Sequence, residues 1–319
     1  MKKIVDYFGV QKLIAMAVLI IVYMFFASQS VHFRSVNTLV SIFDTSYYVG
    51  FLAIGVTFVI ITGGIDLSIG TVMMTSAIIG GFIHNNHGVP LWLALIIIVL
   101  VGSAFGLLNG IMVAKLKLPA FIATLGTMLV ARGLGSIVSR VQSTSFPLRT
   151  HADGWFRNIF RTDGNFPTGI FVLLAFGITA AIILNKTKLG RYIFAIGSNQ
   201  EATRLSGVNT SKYQMIAYII SGFFAGLAAI AYVAIFTTVL PGSGAGMELD
   251  AIAAVIVGGT SLAGGVGSIL GTFLGLYLMT VLAVGLPFIG LQPHYQILTT
   301  GIVVILAVYF DIYRNRKNN

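Results

Sequence analysis

The feature that most constrains this chain is a series of long apolar runs separated by short polar gaps. Ten segments stand out, at roughly 13–28, 46–62, 68–83, 90–114, 118–139, 167–184, 213–236, 248–260, 267–286 and 296–310. A helix needs roughly 20 apolar residues to cross a bilayer. Of 319 residues, 57% are hydrophobic and only 9% are charged, and the mean hydropathy is +0.95. A soluble domain carries about 25% charged residues, so this chain cannot cover itself with polar surface. Backbone polar groups in lipid must be paired internally. The expectation is therefore an all-α membrane protein, a polytopic helical bundle of about ten transmembrane helices. It would use residues 1–319 as a single transmembrane domain.

Charge sets the orientation. The net charge of +10 could mean a nucleic-acid partner or a lysine and arginine excess on the cytoplasmic side of a membrane. The basic residues lie in the gaps between apolar runs and form no interleaved patch, so nucleic acid is excluded as a partner. With the N-terminus inside, the inner segments hold Lys2, Lys3, Lys12, Lys115, Lys117, Lys186, Lys188, Arg191, Arg204, Lys212, Arg314, Arg316 and Lys317. The outer loops hold Arg34, Arg140, Arg149, Arg157 and Arg161, and Arg132 is left inside a span. The count is 13 against 5, which puts both termini in the cytoplasm. The first run resembles a secretory signal, ending near Ala27 and Ser28; it is read here as an uncleaved span.

Two loops are long. The outer one, 140–166, contains Pro147, Trp155, Phe156 and Phe166 and suits a segment lying on the membrane surface. The inner one, 185–212, contains GSNQEATRLSGVN. There Ser198 or Asn199 can cap a short helix beginning near Gln200, and Gly207 can end it. It could lie on the membrane surface or dock a cytoplasmic partner.

The 37 glycines are patterned. Gly102, Gly106 and Gly110 are spaced by four, as are Gly222 and Gly226, and Gly267, Gly271 and Gly275. Such faces let backbones approach closely, within one bundle or between subunits. An internal echo also appears. ITGGIDLSIG (61–70) resembles IVGGTSLAGG (256–265), and both follow an apolar run directed inward. Repeated, glycine-broken spans often flank a substrate path.

Four acidic residues fall near membrane depth: Asp44, Asp66, Glu248 and Asp250. An ionisable group there is costly and marks a pairing or a path. Asp66 can cap the next helix or line a route. Glu248 and Asp250 can cap a helix, pair with an outer arginine, or serve an outer gate. No catalytic constellation appears. His84 and His87 form H-x-x-H in a short loop without a carboxylate, and cysteine is absent, so no metal or cofactor site is expected. No lysine follows a glycine, which removes the ATP-binding phosphate loop. There is no nucleophile elbow.

LGRYIFAIGSNQEATRLSGVN (189–209) and ELDAIAAVIVGGTSLAGGVG (248–267) resemble the permease subunits of bacterial sugar ABC importers of the ribose, galactose and xylose type. FVIITGGIDLSIG (58–70), LPAFIATLGTMLVARG (118–133) and YFDIYRNRK (309–317) fit the same pattern, so the resemblance covers nearly the whole chain in order. It implies an inner-membrane subunit forming half of a path for a monosaccharide. Its implied partners are an ABC-type ATPase, a periplasmic sugar-binding protein and a second permease, identical or homologous. It also implies that Glu201, Ala202, Thr203, Arg204 and Gly207 dock the ATPase; Thr203 departs from the EAA pattern of ABC importers. On this reading Gly63, Gly64 and Asp66 belong to the path. Asn109, Thr124, Thr127, Thr260, Ser261 and Ser268 are candidates by position, and Glu248 and Asp250 suit the outer gate. A proton-driven secondary transporter and a branched-chain amino-acid ABC permease are the competing readings.

Overall fold

The computed structural model of the protein describes residues 10–161 and 166–318. Lys2 and Lys3, and residues 162–165 of the outer loop, lie outside the described residues, as do the side chains of Arg314, Arg316 and Lys317. Among the described residues twelve α-helices follow one another: α1 (Val10–Gln29), α2 (Val36–Ile61), α3 (Ile69–His87), α4 (Leu91–Gly110), α5 (Ala120–Val138), α6 (Gly169–Lys186), α7 (Lys188–Ser198), α8 (Gln200–Leu205), α9 (Thr210–Ile235), α10 (Met247–Val257), α11 (Ile269–Gly285) and α12 (Pro293–Asn318). The protein is thus an all-α membrane protein, apart from a ribbon of β1 (Thr144–Ser145) paired antiparallel with β2 (Thr238–Val239).

Seven described helical segments are long and apolar enough to cross a membrane: those built on α1, α2, α4, α5, α6, α9 and α11. Three expected spans are of a different kind. The 19 residues of α3 include three glycines, two histidines and two asparagines. The 11 residues of α10 reach only about 16 Å, roughly half a hydrocarbon core. In α12 the apolar part is His294–Leu306. Of these, α3 follows the first of the two echoed glycine segments and α10 precedes the second.

At the centre is α2, with 89% of its most apolar window buried, against 11% for α1 at the rim. It begins ten residues before the expected start, because Ser35 caps it by accepting from the Thr38 N–H at 3.3 Å. Polar residues that read as loop, such as Asn37 and Thr45, are helical. The Thr57 and Thr272 hydroxyls share a buried hydrogen bond of 2.9 Å between α2 and α11. The glycine stripes serve packing within the chain. A Cβ on Gly102 or Gly106 of α4 would strike the backbone of α9 at Gly222, Gly226 or Tyr218. One on Gly271 or Gly275 of α11 would strike α10 at Gly258 or Ala254.

The two ends differ. One gathers Lys115, Lys117, α7 and α8; there the Lys117 Nζ donates to Ser211 Oγ at 3.3 Å. The other carries the ribbon and a 3-10 turn, Ala152–Ile159. That turn packs into the bundle more deeply than a surface-lying segment would. Phe156 is fully buried, and Arg157 donates to the Pro147 and Ala234 carbonyls at 2.7 and 2.9 Å. Arg161 pairs with Asp44 of α2 at 3.1 Å.

Candidate functional site

The two echoed segments interrupt the bundle in the same way. After α2, Gly63 takes φ +78°. The Gly63 and Gly64 N–H groups donate back to the Ile60 and Val59 carbonyls at 2.9 and 3.2 Å. After α10, Gly259 takes φ +94°, and the Gly259 and Thr260 N–H groups donate to Ile256 and Val255 at 2.9 and 3.1 Å. Both are helix endings that need a left-handed residue, which glycine adopts freely. The structural match pairs Gly63 with Gly259, one residue out of the register that letter matching gives.

These breaks meet. The Gly265 N–H donates to the Ile61 carbonyl at 2.9 Å. A Cβ on Gly264 would lie 2.9 Å from the Gly63 nitrogen, and one on Gly197 of α7 would strike both the Ile61 carbonyl oxygen and the Gly265 nitrogen. Backbone touches backbone at this junction, and α7 leads directly from it into α8.

From the first break the chain runs to Asp66, which is 1% exposed. Its Oδ1 accepts from the Ser68 N–H at 3.0 Å, the Ser68 hydroxyl at 2.6 Å and Asn109 Nδ2 at 3.3 Å. Its Oδ2 accepts from the Ser221 hydroxyl at 2.9 Å. Asp66 therefore ties the α2–α3 loop to α4 and α9. The N-cap position of α3 belongs to Ser68. Asn109 also donates to Ser68 Oγ at 2.8 Å, while its own Oδ1 is buried without a partner among the described residues. Thr127 and Thr260 likewise bury partnerless hydroxyl oxygens. Thr124 donates to the Ala120 carbonyl at 2.8 Å and also approaches that of Ile65, at 3.4 Å. Ser261 is 1% exposed and its Oγ accepts from the Ala263 N–H at 3.2 Å. Ser268 caps α11, accepting from the Gly271 N–H at 3.1 Å.

Glu248 and Asp250 stand at the start of α10, deeper than their place in the sequence suggests. The loop 240–246 leaves the ribbon and dips until Gly244 lies against Gly70 and Met74 of α3. Glu248 Oε1 accepts from the Gly246 N–H at 2.9 Å, and its Oε2 has no partner among the described residues. Asp250 accepts from the Thr300 hydroxyl of α12 at 3.2 Å. Among the described residues no ion pair joins either carboxylate to an arginine.

The loop 185–212 contains the short helix α8. Asn199 caps it, accepting from the Ala202 N–H at 2.9 Å, and Gly207 ends it at φ +82°. Thr203 is turned inward, its hydroxyl donating to the Asn199 carbonyl at 2.7 Å. Arg204 grips Glu201 with two bonds, of 2.5 and 3.0 Å, and both side chains are well exposed. The Arg204 guanidinium holds the Glu201 carboxyl below the usual glutamate range, and the pairing raises the guanidinium in turn. Leu205 beside them is 75% exposed.

A family model described as "Branched-chain amino acid transport system / permease component" matches residues 38–308, from α2 into α12. The chain belongs to this permease family. It is 39% identical over 308 residues to the ribose import permease protein RbsC of Escherichia coli K12, covering 94% of this chain and 92% of that one. It is 37% identical over 270 residues to the RbsC protein of Bacillus subtilis, covering 82% and 80%. To the fructose import permease protein FrcC of Rhizobium meliloti it is 34% identical over 284 residues, covering 88% and 79%. No solved structure matches the chain. A multi-pass membrane protein of this family is a transport component and not an enzyme.

Proposed function

We propose that the chain is the transmembrane permease of an ATP-driven importer, carrying a monosaccharide across the bacterial inner membrane. It forms half of the path. A periplasmic binding protein delivers the sugar, a second permease completes the route, and separate ABC-type ATPase subunits supply the energy. The observation that carries this reading is α8. Its exposed Glu201–Arg204 pair and exposed Leu205 stand on a segment joined through Gly197 to both glycine breaks. A proton-driven transporter has no use for such a projection. The amino-acid importer reading rests on the family description alone, whereas the relatives across most of the chain are named for ribose and fructose.

On this reading the end bearing α7 and α8 is cytoplasmic, both termini lie there, and about ten segments cross. Ala202, Thr203 and Gly207 fix the shape of the coupling helix, and Glu201 and Arg204 meet the ATPase. Nucleotide binding draws the ATPases together and moves α8. The backbone junction at Gly63, Gly197, Gly264 and Gly265 carries that movement to α2 and α10. Asp66, Asn109, Thr260 and Ser261 line the route beyond it, and Glu248 and Asp250 guard its outer side. A neutral sugar suits such a lining, since hydroxyls exchange hydrogen bonds with small polar groups and the Asp66 carboxylate is already held by four protein donors.

Charge reversal tests the proposal. Glu201→Arg and Arg204→Glu, each alone, should cut ATP hydrolysis stimulated by the sugar-loaded binding protein about tenfold, as loss of charged hydrogen bonds does. Expression and melting should stay unchanged. Normal stimulation in both variants sinks the coupling assignment.

A further inference from the structure

Arg132 is the one basic residue that charge bookkeeping leaves inside a span. It is the thirteenth residue of α5, about 18 Å from that helix's inner end and 9 Å from its outer end. Its neighbour Ala131 is buried against α3, where its carbonyl accepts from the Thr75 hydroxyl at 2.8 Å. Arg132 itself is exposed. Its guanidinium makes no hydrogen bond or ion pair to any described residue. An arginine facing lipid at this depth is costly, and long side chains escape by reaching for the interface. This one leans against the chain instead. A Cβ added to Gly242, in the loop that dips from the ribbon toward α3, would lie 3.4 Å from Arg132 Nε. Gly242 has φ +78°, so a larger residue there would be strained and would crowd the guanidinium. On the same helix, Gly126 and Gly133 have nothing within 4 Å of where a Cβ would stand. That open face is shared with the apolar Leu129, Val130 and Leu134; what sets Arg132 apart is an exposed cation with a glycine beside it that leaves it room, and such a cation calls for water.

We infer that Arg132 is a sugar contact of the translocation path, its guanidinium facing water beside the loop 240–246. The inference rests on the sugar-importer reading above. A guanidinium offers several N–H donors in a planar fork, and adjacent hydroxyls of a pyranose or furanose present acceptors at matching spacing. It holds a neutral sugar without the deep electrostatic well that an anion would meet there, so binding stays weak enough for passage. Asp66 is held by four donors, as described, whereas the Arg132 guanidinium is a charge within a span that no described residue holds.

Two measurements on the assembled transporter test this. The chain has no cysteine, so Arg132→Cys and Val130→Cys each carry a single thiol. Val130 is 56% exposed and lies about 200° around the helix from residue 132. A charged, membrane-impermeant thiosulfonate should modify residue 132 and spare residue 130. In uptake assays, Arg132→Gln should lower sugar transport about tenfold, the scale of lost charged hydrogen bonds. ATPase stimulation by the loaded binding protein and the melting temperature should stay within normal range, and Arg132→Lys should be intermediate. An unreactive residue 132, or unchanged uptake in Arg132→Gln, overturns the contact. So does a joint fall of uptake, ATPase stimulation and melting temperature, which marks a packing role. Labelling of the Arg132→Cys complex, with a wild-type complex that moves no sugar, overturns the sugar-importer reading, and the contact with it. Sugar transport by wild type with no labelling at 132 overturns the contact alone.

Discussion

Asp66 gathers four donors on the two oxygens of one carboxylate, with almost no exposure. Those bonds replace the water the group gave up, so removing the acceptor strands several buried donors at once, each worth about 1–3 kcal/mol. Asp66→Asn keeps one acceptor oxygen, and the Ser221 hydroxyl can rotate to accept from the new amide. The fold should survive, with melting in detergent lowered by a few degrees. Uptake should fall about tenfold if the carboxylate serves the path, a charge-assisted bond being the loss. Near-normal uptake with a lowered melting point would leave Asp66 a packing role only. The sequence marked Asp66 because a lone acid at membrane depth demands an explanation. It could not supply Ser221, which is 155 residues away. Nor did it single out Arg132 as a site: a charge inside a span is visible in the letters, but the Gly242 loop beside it depends on how far the chain dips.

Glycine spacing foretold which helices approach, but not which partner each would meet. A four-residue repeat fixes a face, and only packing decides what covers it. Here Gly102 and Gly106 face Gly222 and Gly226, backbone on backbone. Alanine ordinarily gains about 1 kcal/mol over glycine within a helix. At Gly102 the added methyl would land on the α9 backbone, and overpacking costs about 1–3 kcal/mol. Gly102→Ala should therefore lower the melting temperature. Gly301→Ala in α12, where nothing lies within 4 Å, should hold or raise it. Equal shifts in both variants would remove the close-packing account of α4 and α9. Most helix positions were legible because long apolar runs have one solution in lipid. The start of α2 and the ribbon were not. The first depends on a single serine cap, and the second is a two-residue pairing between segments about 90 residues apart.

At the level of the whole molecule, polar function collects where apolar helices are shortest. The half-length α10, the polar α3 and the two glycine breaks sit beside one another, while the longest helices frame them. Under the proposed coupling of α8 to an ATPase, the pH dependence of that coupling follows from the exposed pair on α8. The Glu201 carboxyl is lowered by Arg204. Its favourable contribution is fully present above the unfolded glutamate value and is lost only as pH falls through the lowered folded value. Stimulated ATP hydrolysis should therefore show no step from this pair between about pH 5.5 and 8, since free glutamate titrates near 4.3. A midpoint within that window that disappears in Glu201→Gln would contradict the geometry of the pair. The contact of Gly197 with Ile61 and Gly265 carries a consequence for inheritance and engineering. Three stretches of chain meet there with no side chain between them to absorb a misfit. The inner loop is therefore not a cassette. Grafting residues 185–212 from a relative should transplant its choice of ATPase only if both glycine breaks travel with it.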